Sequence, residues 1–126
     1  MINVEHYLYG KYVEGGRVWP EVDCYGIIMK LREDLGLKPW PIFDGVTKRE
    51  NGLHNMGKQL IQSLTPCEPQ EGAGVACYKG SCMVHVAMVV NTPTGLEVAE
   101  CNPGTNVTFT PLRRFKRRYL RLEFYL

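Results

Sequence analysis

The sequence predicts an α+β domain: helical segments come first, and an antiparallel sheet of about five strands follows. Two observations carry this. Before residue 65 the apolar side chains recur at three-to-four spacing, and after Gly74 they alternate with a period of two. A third is length: 126 residues with 44% apolar content suit a single domain over residues 1–126.

The elements follow in order. Asn3 to Leu8 reads as a short helix, and the aromatic, polar opening ends at the turn signal Gly15-Gly16. From Asp23, an N-cap residue type, Ile27, Ile28, Leu31 and Leu35 fall on one helix face, Arg32, Glu33 and Asp34 on the other, and Gly36 suits a C-terminal cap. Pro39-Trp40-Pro41-Ile42-Phe43-Asp44-Gly45 cannot be regular helix, because each proline lacks an N–H donor. Helical spacing returns through Leu53, Met56, Leu60, Ile61 and Leu64. Strands are expected over 75–78, 84–90, 96–101, 107–109 and 119–125, separated by Gly80, Thr92-Pro93-Thr94-Gly95 and Asn102-Pro103-Gly104. In the last of these Leu120, Leu122, Phe124 and Leu126 alternate as in a half-buried strand, so the basic run Arg113, Arg114, Lys116, Arg117 and Arg118 reads as a solvated face.

A formal charge of +2 gives no global field to draw the chain onto nucleic acid. No apolar run reaches the ~20 residues of a membrane span. The opening has no basic leader followed by an apolar core, so synthesis in the cytoplasm without a signal peptide is the expectation. Five cysteines, an odd number, then point to reduced thiols.

Among them Cys24 is the candidate nucleophile. It falls in the first turn of a helix, where free N–H groups and the positive dipole end favour a thiolate and can hold an oxyanion. A buried structural cysteine is the plain alternative. A thiolate needs a base, and of His6, His54 and His85 only His85 lies in a well-defined strand, whereas His54 follows Asn51-Gly52 at a helix entry and reads as exposed. Alternation puts Val84, Val86, Met88 and Val90 on one face and groups His85 with small Ala87 on the other, the face expected to meet the start of the Cys24 helix.

Three blocks in this order, Tyr12-Val13-Glu14-Gly15-Gly16, Asp23-Cys24-Tyr25-Gly26-Ile27-Ile28 and His85-Val86-Ala87-Met88-Val89-Val90, resemble the signature blocks of the NlpC-type cysteine peptidases. The resemblance runs in weaker form from about Tyr9 to Asn102. It implies a papain-like fold and cleavage of peptidoglycan stem peptides, typically between D-glutamate and a diamino acid, with no cofactor. Tyr25 after the cysteine and the run Lys30 to Leu37 look like the subgroup encoded in phage tail-assembly regions, which implies other tail proteins as partners. By this resemblance Cys24 is the nucleophile, His85 the base and Tyr12 an oxyanion donor, while Asp23 and Tyr25 line the substrate groove. The family's third member, usually a histidine that orients the base, is absent, because no histidine follows His85. Aligning Val98-Ala99-Glu100-Cys101-Asn102 puts Glu100 there, a carboxylate able to accept from the imidazole; Asn102 is the next choice.

Other readings stay open. Cys77, Cys82, His85 and Cys101 could together bind zinc, which would leave Cys24 without a base. The fold could serve as a tail module without catalysis, or the chain could be a peptidoglycan amidase, which uses the same acyl-thioester route. The basic run could also attract anionic wall polymers.

Overall fold

A computed structural model describes residues 1–126. A short helix α1 (Val4–Tyr7) leads into three two-residue strands, β1 (Lys11–Tyr12), β2 (Arg17–Val18) and β3 (Glu21–Val22), which form a small sheet in the order β1-β3-β2. Two longer helices follow, α2 (Cys24–Asp34) and α3 (Gly52–Ile61), the latter entered through a 3₁₀ turn at Arg49–Asn51. Strands β4 (Gly74–Lys79), β5 (Cys82–Thr92), β6 (Gly95–Asn102) and β7 (Asn106–Pro111) run on as a meander. After a four-residue helix α4 (Leu112–Phe115), β8 (Arg121–Tyr125) returns beside β4. The main sheet is five-stranded and antiparallel, in the order β7-β6-β5-β4-β8. The domain is therefore α+β, with helices before the main sheet and one more between its last two strands. No helix is long and apolar enough to cross a membrane.

Both faces of the main sheet are covered. On one, Ile27, Ile28 and Leu31 of α2 and Leu53, Met56 and Leu60 of α3 pack on Ala76, Val86, Met88, Val90 and Ala99. On the other, Val75, Cys77, Ala87, Val89 and Val98 are closed off by Phe115 of α4. The alternation along β5 is thus real, but the valine–methionine face meets α2 and the Ala87 face meets α4, the reverse of the sequence expectation. Period-two patterning cannot name which face meets which helix when both faces are buried.

Other differences are local. The last strand begins at Arg121, and Leu120 is fully exposed. The basic run lies on α4 and the turn after it, and the paired residues of the small sheet are too few to leave a periodic pattern. His54 is half-buried: its Nδ1 accepts from the Met83 N–H at 3.0 Å and ties α3 to β5.

Two features position the start of α2. Gly26 lies so close to the small sheet that a Cβ there would sit 2.3 Å from the Gly16 carbonyl oxygen, so only glycine lets the helix dock. The second is a fork in the main sheet. The β5–β6 ladder runs from Thr92–Gly95 to Met88–Ala99 and stops there, while β5 stays paired with β4 through His85 and β6 stays paired with β7 through Asn102.

Candidate functional site

The candidate residues gather at this fork. Asp23 caps α2, its Oδ1 accepting from the N–H groups of Tyr25 (3.1 Å) and Gly26 (2.8 Å), while its Oδ2 takes a 2.7 Å ion pair from Arg17. The same guanidinium donates to the carbonyls of Ile42, Phe43 and Val46 and so holds the loop before α3 against the helix start. Asp23 thus spends its carboxylate inside the chain. Tyr25 does likewise: it is 1% exposed, its hydroxyl donates to the Pro41 carbonyl at 2.6 Å, and its ring meets Phe43 edge-on.

Cys24 heads α2, and its own N–H is the first-turn donor that Asp23 does not take. Its thiol faces the backbone N–H of Val86, beside the point where the β5–β6 ladder ends. The side chain is 2% exposed. Burial pushes the thiol up to about 11, and the Lys48 ammonium and the Val86 N–H only partly oppose this, so the resting group is a thiol. The expected thiolate at a helix start is overruled here by desolvation. Tyr12 is half-buried, with its backbone N–H held by Asn106 Oδ1. Burial and the neighbouring Cys24 and Asp23 raise its phenol to about 12, which keeps it a neutral donor.

His85 precedes Val86 and is buried, with Nε2 2.9 Å from Oε1 of Glu100. Of the two orienting residues left open by the sequence, Glu100 touches the imidazole, and Asn102 stands behind it, donating to the same Oε1 at 2.9 Å. Arg118 completes the cluster with a two-pronged contact to both carboxylate oxygens. Burial pushes Glu100 up, yet hydrogen bonds from His85 and Arg118 outweigh it and hold the carboxyl down at about 2. Burial pushes the imidazole down despite the Glu100 contact, so His85 is neutral. An ionised carboxylate only accepts, so Nε2 carries the proton and Nδ1 keeps its lone pair. That Nδ1 is the one buried side-chain nitrogen or oxygen without a hydrogen-bond partner. No hydrogen bond joins it to Cys24.

Cys77, Cys82, His85 and Cys101 do not converge, since no group of three or more His, Cys, Asp or Glu side chains is arranged to hold a metal. All five cysteines are free thiols. Sequence reasoning missed Arg17 and Arg118. Arg17 left no signal beyond its place six residues before the cap. Arg118 was hidden in a run of similar residues, all of them exposed, from which only its contact with Glu100 sets it apart. No protein-family model and no curated protein matches the chain.

Proposed function

We propose that the chain is a cysteine hydrolase of the NlpC type with a papain-like fold, cutting amide bonds in peptidoglycan stem peptides. The observation that carries this is the partnerless, buried Nδ1 of His85, held by an ionised Glu100 one residue from the backbone N–H that faces the Cys24 thiol. A buried polar atom left unpaired costs about 1–3 kcal/mol, and a waiting proton acceptor explains that cost.

On this reading Nδ1 takes the thiol proton as sulfur attacks the carbonyl carbon. The oxyanion is held by the Cys24 N–H and the Tyr12 hydroxyl. Glu100 stabilises the imidazolium, which returns its proton to the leaving amine as the C–N bond breaks. Water then attacks the acyl-thioester, giving one proton to His85 and regenerating the thiol. Cys24 and His85 are both buried, so the substrate has to displace what covers them before attack. The D-glutamyl–diamino acid bond and an association with phage tails rest on the three sequence blocks alone.

A second reading, a tail interaction module without catalysis, is favoured by that burial, by the absence of a Cys24–His85 hydrogen bond and by the alternation that groups His85 with Ala87 on the α4 side of β5. Digestion of purified peptidoglycan and soluble stem peptides by the unaltered protein and by Cys24→Ala, with products weighed by mass spectrometry, separates the two. Fragments released only by the unaltered protein support the hydrolase, and their masses name the bond, endopeptidase or amidase. Inert samples at every pH under reducing conditions support the module.

A further inference from the structure

We propose that Arg118 is a positioning residue that dictates which ring nitrogen of His85 carries the proton, by keeping Glu100 ionised. Glu100 is 1% exposed and accepts from His85 Nε2, Asn102 Nδ2 and both terminal nitrogens of Arg118. Of these three partners only the guanidinium carries a full charge. It is held in place by Phe115 and Tyr119, whose ring centroids lie 4.8 and 5.6 Å away. All five cations of the basic run are exposed, and only Arg118 makes an ion pair, so it differs from the others by a contact, not by composition.

The consequence is a choice between two tautomers. Against a carboxylate, Nε2 must donate and Nδ1 is left as the acceptor. A buried carboxyl facing only neutral partners gains a proton instead. A protonated Glu100 can donate to Nε2, which drives the imidazole proton onto Nδ1 and removes the base. The other groups facing this pair do not replace the guanidinium. Cys77 on β4 and Cys101 on β6 are buried thiols kept protonated by desolvation. Tyr119 is a protonated phenol, and the exposed Lys48 acts on the histidine by disfavouring its cation.

The functional meaning rests on the hydrolase reading, but the tautomer can be read without activity. Two-bond ¹⁵N–¹H spectra of the histidine-labelled protein, with His85 assigned by loss of its signals in His85→Gln, report which nitrogen is protonated. The unaltered protein and Arg118→Lys are expected to hold the Nε2–H form from about pH 6.5 to about pH 8. Arg118→Met is expected to shift His85 toward Nδ1–H over the same range. If Arg118→Met does not fold by circular dichroism, Arg118→Gln, which loses the charge but retains a donor at a position whose side chain is 42% exposed, is read in its place. An Nδ1–H form in the unaltered protein, or an unchanged Nε2–H form in the folded neutral variant, overturns the proposal. Where stem peptides are cleaved, kcat of the neutral variant should fall about 100-fold with KM unchanged, and Arg118→Lys should recover part of it. An inert unaltered protein that passes the tautomer test counts against the hydrolase reading alone.

Discussion

At Cys24 two effects act on one thiol in opposite directions. A helix start favours an anion by about 1 kcal/mol or less in typical settings. Lifting the thiol from 9.0 to about 11 disfavours the anion by about 3 kcal/mol at ~1.4 kcal/mol per unit. Desolvation therefore wins, and the resting pair is thiol and neutral imidazole, in contrast to a thiolate–imidazolium pair. Alkylation of Cys24 by iodoacetamide, followed by mass spectrometry, should accelerate steadily with pH and stay slow near neutrality, with half-buried Cys82 as an internal reference. A rate plateau beginning below pH 7 would show instead that the thiolate is preformed. Cys24 at a helix start, His85 in a strand and Glu100 within reach of its ring were legible because residue type, element and chain order constrain them. Arg17 and Arg118 were not, since an arginine's long stem lets it reach inward from a position whose neighbours face water.

At the scale of elements, the docking of α2 depends on a glycine that its own helix would prefer to lose. Alanine in a helix interior is favoured over glycine by ~1 kcal/mol. The added Cβ of Gly26→Ala, however, meets a backbone carbonyl oxygen at 2.3 Å, and backbone cannot rotate away as a side chain can. Overpacking of this kind costs about 1–3 kcal/mol, so net destabilisation is expected despite the propensity gain. Urea denaturation should show a lower midpoint for Gly26→Ala, and an unchanged or higher midpoint would mean the helix start yields easily. Because that start carries Cys24, the hydrolase proposal adds that cleavage of stem peptides should fall as well. Long periodic elements such as α2, α3 and β5 could be read from the sequence. The three two-residue strands and α4 could not, since each spans only about one period, too little for a repeat to show. The β5–β6 fork was equally silent, because strand pairing is a property of two segments and the composition of neither reports where it ends.

For the whole molecule, the same buried array couples the site to global stability through pH. Glu100 titrates at 4.5 when unfolded and at about 2 when folded, so the unfolded chain binds its proton first as the medium is acidified. Its contribution is complete above about pH 4.5 and is lost as pH falls toward 2. His85 is depressed below 6.5 by burial, so its contribution is complete above that value and is lost as pH falls below it. Cys24 moves the other way: raised from 9.0 to about 11, its contribution is complete below pH 9 and is lost as pH climbs through 11. Stability should therefore peak between about pH 7 and pH 9 and fall on both sides, with the acid limb beginning where histidine titrates. Thermal melts across pH check this, and two variants assign the limbs. His85→Gln should delay the acid limb to the carboxylate range, and Cys24→Ala should soften the alkaline limb without removing it, because the buried thiols of Cys77 and Cys101 are raised as well. If His85→Gln leaves the fall below pH 6.5 unchanged, the buried neutral imidazole is not what ties folding to acidity. Exposed pairs such as Arg121 with Glu123 cannot substitute for it, because solvent screens them.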